Sequence, residues 1–432
     1  MKRYSQVCKI TPFLICMLLI RVDVFPCSMF KITMYGKTMV GNNEDAWRLD
    51  SKIWFEPGKD GKYGSAYVGH NDLFPQGGMN ETGLAYDGFA VYRRKLNPVY
   101  GKKNIDNMSS FLKMIMQNCK SVDEVQNLLN QYDRSIFNGA MLLFVDLTGK
   151  YLVLEVDTLI NGDSREYILA NFCPSITKPG DVKIPRYIRG NLFLQNNIPD
   201  TSLAFCLSVM DTMHECRSKI GDGTTYTSIY DLKEGIIYLY FYHDFKHVIK
   251  FNLHQELRKG EHIIRMPDIF PPNQEYILFT KYKTPFNSLS IRLIFYALIA
   301  FYIVTPIMYM SILIRNRMFN AIKTGYKWNK ILVWVHLYIN IFLAYYLYIL
   351  LTNQPAYYFD SPYKFDNNSL LNSLSYFPIL LVTVIIPIIY LNIRVVRQSD
   401  ATKYMRSLLS LNSITYIFAL ALFGYWGFFK IF

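Results

Sequence analysis

A cysteine at position 27 opens the stretch Cys27-Ser28-Met29-Phe30-Lys31-Ile32-Thr33-Met34-Tyr35-Gly36-Lys37-Thr38-Met39-Val40-Gly41-Asn42-Asn43-Glu44-Asp45. The runs Ser28–Met34 and Thr38–Gly41, with Tyr35-Gly36-Lys37 between them, predict a β-hairpin. Such a hairpin returns the polar cluster Asn42–Asp45 to the side of Cys27. Upstream, Lys2, Arg3 and Lys9 precede an apolar run from Ile10 to Ile20. That run is shorter than the roughly 20 residues a bilayer needs and has the length of a secretory signal core. Removal of residues 1–26 exposes Cys27 as the first residue, with a thiol and a free α-amine on one carbon. An α-amine titrates near pH 7.7–8.0, so this residue is a nucleophile with its own base. Asp45 is placed to hold the amine. Arg21, Asp23 and Pro26 break the small-x-small pattern of a cleavage site. The alternative is therefore an uncleaved anchor, and self-removal by the enzyme is a further route.

An amide hydrolase also needs donors for a tetrahedral oxyanion. The stretch Pro75-Gln76-Gly77-Gly78-Met79-Asn80-Glu81-Thr82-Gly83-Leu84-Ala85 surrounds Asn80 with glycines that allow close backbone approach. Asn80 can donate its side-chain amide to an oxyanion, or it can be the turn residue of a glycine-rich hairpin. Asn80-Glu81-Thr82 also spells a glycosylation sequon, a coincidence if the source is bacterial. Asn43, Tyr86 and Asp87 are further candidates for a pocket wall.

The elements that must carry these residues form one α+β domain over 27–285. Further strand-like runs are Lys52–Phe55, Gly83–Phe89, Ala140–Asp146, Tyr151–Val156, Tyr167–Asn171, Thr225–Asp231, Ile236–Tyr242 and His247–Asn252. Helical segments are Ser109–Gln117, Val122–Leu129, Ile184–Gln195 and Thr201–Thr212, the last with Asp200 as N-cap. Strands with two groups of helices indicate sheets covered by helices.

Beyond Pro285 the character changes. Leu293–Ile314, Ile331–Leu351, Leu374–Ile393 and Leu408–Phe429 are each long and apolar enough to span a bilayer, so 286–432 reads as a four-helix membrane domain. His336 and Asn340 within it, and Pro306, Pro378 and Pro387, are read as bundle packing rather than an intramembrane active site. The loop Arg315–Lys330 carries Arg315, Arg317, Lys323, Lys327 and Lys330 with no acid, and the loop after the third span carries Arg394, Arg397, Lys403 and Arg406 against Asp400, whereas Thr352–Ser373 carries only Lys364 against Asp360 and Asp366. Basic loops stay in the cytoplasm, which puts 27–285 on the extracytoplasmic side and agrees with the signal segment. Charge distributed this way argues against a nucleic-acid groove, although the net charge is +13. Of the 7 cysteines, Cys119, Cys173, Cys206 and Cys216 lie beyond Cys27 in the domain and can pair in an oxidising compartment or stay as buried thiols. No Cys/His spacing suggests a metal, and no cofactor is expected.

Cys27-Ser28-Met29-Phe30, Gly41-Asn42-Asn43-Glu44-Asp45 and Gly78-Met79-Asn80-Glu81-Thr82-Gly83-Leu84 together resemble the choloylglycine hydrolase family of linear amide C–N hydrolases, which includes bile salt hydrolases and penicillin V acylases of the N-terminal nucleophile superfamily. Ala170-Asn171-Phe172, Pro185-Arg186-Tyr187-Ile188-Arg189 and Thr225-Tyr226-Thr227-Ser228-Ile229-Tyr230-Asp231 extend the resemblance to about residues 27–257. The resemblance implies a four-layer αββα sandwich, to which four transmembrane helices are added here. It makes Cys27 the nucleophile with its amine as proton shuttle and Asp45 the residue that positions the amine. Asn80, through its side chain or its backbone, and Asn171 would build the oxyanion hole, and Arg186 would support the nucleophile. One departure stands out: bile salt and penicillin V members place an arginine where this chain has Asn42.

The reading is a membrane-tethered extracytoplasmic cysteine amidase acting on a small-molecule acyl amide, with the membrane as its other partner, no nucleic acid, and an oligomer left open. Competing readings are a related acyltransferase or dipeptidase, or a membrane sensor whose hydrolase-like domain only binds ligand.

Overall fold

The computed structural model describes residues 27–46, 48–97, 100–215, 223–318, 327–357, 376–397 and 402–429. The expected signal segment 1–26 lies outside them, as do Cys216 and much of the basic loops. The described chain separates into two compact units that meet in sequence at Lys281/Tyr282.

In the first unit, β1 (Cys27–Met34) and β2 (Lys37–Ala46) form the expected hairpin. Tyr35 and Gly36 both take positive φ, 51° and 72°. A two-residue loop with this geometry matches the right-handed twist of the strands it joins. β2 is longer than the sequence suggested: the polar cluster Asn42–Asp45 continues the strand. The remaining strands are β3 (Lys52–Glu56), β4 (Ser65–Gly69), β5 (Pro75–Asn80), β6 (Ala85–Ala90), β7 (Ala140–Val145), β8 (Tyr151–Leu154), β9 (Leu159–Gly162), β10 (Glu166–Ala170), β11 (Gly223–Asp231), β12 (Ile236–Phe241), β13 (Asp244–Asn252) and β14 (His262–Arg265). They make a 6-stranded sheet in the order β10-β1-β2-β11-β12-β13 and an 8-stranded sheet in the order β14-β3-β4-β5-β6-β7-β8-β9. Every pairing is antiparallel.

Helices cover the outer face of each sheet. α1 (Met108–Asn118) is capped by Asn107, whose side chain accepts from Ser110 N, and it buries the stripe Phe111, Leu112, Ile115 and Met116. α2 (Val122–Leu129) starts at Ser121, which accepts from Glu124 N. Both pack with Trp54, Tyr67, Tyr86, Leu142 and Phe144 of the larger sheet. α3 (Pro185–Asn196) and α4 (Leu203–Met213) pack with Phe30, Ile32, Met39 and Ile229 of the smaller one. The N-cap of α4 is Ser202, which accepts from Phe205 N, rather than Asp200. Asp200 sits two residues before that cap and bonds Ser202 instead. The inner faces meet, with β1 lying over β6. The order helix, sheet, sheet, helix is the α+β sandwich expected from the sequence. Short helices α5 (Leu253–Arg258), α6 (Met266–Ile269) and α7 (Gln274–Lys281) close this unit.

Strand alternation sends Cys27, Met29 and Lys31 inward and Phe30 and Ile32 outward. Lys31 is therefore a fully buried amine, and its Nζ donates to the Gly149 carbonyl at 2.8 Å. Burial lowers its pKa from the usual 10.5 to about 8. Between those values the unfolded chain binds the extra proton, so this residue's penalty on folding, full below pH 8, is relieved as pH rises towards 10.5. In thermal unfolding of the full chain, the difference in Tm between Lys31→Met and the unmodified protein should shift in favour of the unmodified protein between pH 7 and pH 10. A difference that stays constant over that range rules this out.

The second unit contains α8 (Leu289–Met318), α9 (Lys327–Thr352), α10 (Phe377–Val396) and α11 (Lys403–Tyr425). Each is long and apolar enough to cross a membrane. A buried polar layer joins them. His336 Nδ1 meets the Tyr416 hydroxyl at 2.8 Å and its Nε2 meets Asn392 Oδ1 at 2.8 Å. Asn340 Nδ2 donates to Thr305 Oγ1 at 2.7 Å and to Asn412 Oδ1 at 2.9 Å. His336 and Asn340 thus have interhelical partners in the bundle, since polar groups in an apolar surround must find them.

Candidate active site

The hairpin register sets Cys27 opposite Glu44. Alternation along β2 divides the polar cluster in two. Asn42 and Glu44 share the inner face with Cys27, whereas Asn43 and Asp45 face outward. Asn43 is spent on the outer layer, where its Nδ2 donates to the Met210 carbonyl at 2.9 Å and its Oδ1 accepts from Thr227 Oγ1 at 2.6 Å. Glu44 receives the thiol: Cys27 Sγ donates to Glu44 Oε2 at 3.2 Å. A bulge in β11 between Thr224 and Tyr226 adds a residue opposite this point. It lets Thr224 Oγ1 donate to Asp45 Oδ1 at 2.5 Å while Thr225 Oγ1 donates to the Glu44 carbonyl at 3.0 Å. Bulges of this kind re-aim side chains next to a site.

The end of β10 and the start of α3 complete the arrangement. Cys27 N donates to Asn171 Oδ1 at 2.8 Å. Arg186, the second residue of α3, donates to the Cys27 carbonyl at 3.4 Å and also to Asn171 Oδ1. Its Nε lies 3.8 Å from Asp45 Oδ2. Asn171 Nδ2 donates to the Ala90 carbonyl at 2.9 Å. Four of the five residues expected to do chemistry, Cys27, Asp45, Asn171 and Arg186, therefore converge. Asn171 presents its oxygen to the nitrogen of Cys27, and Asp45 reaches the site through Arg186.

Asn80 is not brought to them. Its Nδ2 donates to the carbonyls of Met116 and Cys119, both at 2.8 Å. Its Oδ1 accepts from Thr82 N at 3.1 Å, Thr82 Oγ1 at 2.8 Å and Leu84 N at 3.0 Å. The side chain ties the β5–β6 turn to the end of α1, and both of its amide hydrogens are occupied. This is the hairpin role that the glycine-rich stretch left open. Tyr86 likewise belongs to the outer layer, its hydroxyl donating to the Pro75 carbonyl at 2.8 Å.

Asp87 does line the inner face. Gly88 N donates to its Oδ1 at 2.7 Å, and Oδ2 lies against Gly77, where an added Cβ would come within 2.2 Å of it. Burial and the Glu44 carboxyl raise the Asp87 pKa well above the ordinary carboxylate value. His70, missed in the sequence, is 1% exposed, with Nε2 3.7 Å from Glu44 Oε1 and Nδ1 3.6 Å from Asp50 Oδ1. A lone histidine after a strand carried no signal of this, because it reaches Glu44 only through sheet packing. Both amide atoms of Asn42 are buried with no hydrogen-bond partner.

Cys27 is 3% exposed. Burial first, then Glu44, Asp87 and Asp45, push its thiol pKa well above the usual value. The residue is thus a protonated thiol amid carboxyls, and it requires a base to become a nucleophile. Cys119, Cys173 and Cys206 are also buried and unpaired. Burial raises Cys119 to about 11 and Cys206 to about 12. Neither has the polar neighbours of Cys27. Among the described residues no cluster of His, Cys, Asp or Glu is arranged to hold a metal.

No family model and no curated protein matches the sequence. Among solved structures, the chain is similar to two variants of conjugated bile acid hydrolase from Clostridium perfringens. One is 18% identical and aligns over 58% of this chain and 97% of its own, with a TM-score of 0.45. The other is 20% identical, over 57% and 97%, also with a TM-score of 0.45. Penicillin V acylase from Agrobacterium tumefaciens is 15% identical over 55% of this chain and 90% of its own, with a TM-score of 0.43.

Proposed function

We propose that this chain is a membrane-tethered cysteine amidase that hydrolyses a linear carbon–nitrogen amide bond through Cys27, with its hydrolase unit on the extracytoplasmic side. The observation that carries this reading is the treatment of one residue. The sulfur of Cys27 faces a carboxyl oxygen, its nitrogen is held by Asn171, and its carbonyl oxygen by Arg186. A structural thiol has no need of three dedicated polar partners drawn from β2, the residue after β10, and α3. In the reaction, sulfur attacks the acyl carbon, the amine departs, and water releases the acid from the thioester. Arg186 and Asn171 keep the start of β1 in place. A free α-amine on Cys27 would sit at Asn171 Oδ1 as its acceptor.

The signal-like residues 1–26 and the basic loops support the extracytoplasmic placement. The test is the mature N-terminus of the purified full chain, by intact mass, together with hydrolysis of a panel of acyl amides. A chain beginning at Cys27 that hydrolyses at least one amide is the expected result. A chain beginning at Met1 removes the amine as a base. A chain inactive on every amide leaves the ligand-binding sensor as the better account.

A further inference from the structure

We infer that His336 is a proton-binding site inside the helical bundle, with Asn392 and Ser413 as the pair that turns when the proton arrives or leaves. The inference concerns the second unit and stands apart from the chemistry of Cys27.

The polar layer is built from pairs of residues one helical turn apart. Thr305 and Tyr309 lie on α8, His336 and Asn340 on α9, and Asn412 and Tyr416 on α11. Asn392 joins them from α10. All of these side chains are buried. Buried donors and acceptors in an apolar surround are paired, so each proton in the layer can be followed. The Leu408 carbonyl can only accept, and Asn412 Nδ2 donates to it at 2.9 Å. The oxygen of Asn412 therefore faces Asn340, whose Nδ2 donates to it at 2.9 Å. That turns Asn340 Oδ1 towards Tyr416, and the phenol gives its one proton there, at 2.6 Å. With that proton spent, the Tyr416 oxygen accepts from His336 Nδ1 at 2.8 Å. A backbone carbonyl on α11 thus fixes the tautomer of a histidine on α9. The proton of the neutral ring is on Nδ1, and Nε2 holds the free lone pair.

The other side of the ring is not fixed in this way. Asn392 Oδ1 lies 2.8 Å from Nε2, Asn392 Nδ2 donates to Ser413 Oγ at 2.9 Å, and Ser413 donates to the Leu409 carbonyl at 2.9 Å. An amide oxygen beside Nε2 needs a proton on that nitrogen, so this arrangement fits an imidazolium. When Nε2 is bare, the Asn392 amide turns over and Nδ2 donates to Nε2. The Ser413 hydroxyl then swings from the Leu409 carbonyl to Asn392 Oδ1. Both states leave His336, Asn392 and Ser413 hydrogen-bonded. They differ by one proton, passed from water to the Nε2 lone pair, and by one positive charge. No other bond is made or broken.

The groups facing His336 are Tyr309 of α8, stacked on the ring at 5.3 Å, Tyr416 of α11, stacked at 5.7 Å, and the Asn392 amide of α10. Among the described residues no carboxylate, lysine or arginine acts on it. The proton is therefore held by an amide and a phenol, not by an ion pair.

The experiment uses the full chain in detergent, labelled with nitrogen-15 histidine. Both ring nitrogens of His336 are read by NMR as the pH is lowered from 9 to 4. Contacts with the Tyr309 and Tyr416 rings single out His336 in the unmodified protein. The expected neutral form carries its proton on Nδ1 alone. On acidification Nε2 gains a proton while Nδ1 keeps its own. Asn392→Asp sets a carboxylate beside Nε2, and at a fixed pH the ratio of doubly to singly protonated His336 should rise at least about tenfold. Asn392→Leu removes the acceptor and should lower that ratio about tenfold, the excess of a hydrogen bond to a charged group over one to a neutral group. A layer that only packs the helices moves neither ratio. A neutral ring with its proton on Nε2 overturns the inference, and so does a ring that takes up no second proton across the range. Both outcomes are read on the unmodified protein, so a variant that fails to fold does not shield the inference. Ratios equal to the parent's in both folded Asn392 variants overturn it as well.

Discussion

Cys27→Ala is expected to lower amide hydrolysis by at least about 10⁴-fold, the loss typical of removing a covalent nucleophile. Stability should change little. The side chain is small, and it contributes one sulfur–oxygen hydrogen bond to Glu44. The variant also relieves the crowding of Glu44, Asp87 and Asp45 around a group whose ionised form they all oppose. Cys27→Ser keeps a donor for Glu44 but supplies a hydroxyl that ionises far less readily than a thiol, so it should resemble the alanine variant in rate and the parent in Tm. Turnover on the responsive amide, read beside thermal unfolding of the same samples, decides the matter. A Cys27→Ala protein retaining a tenth of the parent rate would place the nucleophile elsewhere.

Asn80→Ala should cost stability of about 3–5 kcal/mol, on the scale of leaving several buried backbone groups unpaired at about 1–3 kcal/mol each. The carbonyls of Met116 and Cys119 and the N–H of Leu84 all lose their partner. They lie in a part of the core where Leu84 and Met116 are fully buried, and water cannot readily substitute. The rate per folded molecule should stay close to that of the parent. An oxyanion donor behaves in the opposite way, losing about 10²–10³ in kcat with the fold intact. Measuring unfolding and kcat on Asn80→Ala and Asn80→Asp separates the two. Full stability with a collapsed kcat would return Asn80 to the active site.

Asn80 shows why a motif can be legible while its purpose is not. Glycines around a polar residue announce a tight turn, and the turn is there, closed by Gly83 at φ 80°. Whether the amide points into a pocket or back into the chain depends on α1, which is far away in sequence and supplies the two carbonyls it binds. Asp45 and Glu44 make the same point at shorter range. Adjacent in sequence, they are equally plausible beside Cys27. The pleat puts one on each face, and the register then gives the thiol to Glu44 and leaves Asp45 to Thr224 and Arg186.

Local pattern alone was sufficient for several things. The hairpin follows from two strand runs around a residue pair that accepts positive φ. The four apolar helices follow from hydrocarbon thickness, which demands long uncharged runs whatever the fold. The boundaries of α2 follow from a capping serine and one apolar stripe. The α+β class follows from runs of strands separated by two groups of helices. These depend on interactions within a few residues, or on a solvent that acts on each segment separately. The chemistry of the site depends on residues from β1, β2, β6, β10, β11 and α3 meeting in space. His70 and Asp87 carry no local mark of that meeting, because their positions beside Glu44 are set by how two sheets stack and not by anything in their own neighbourhoods.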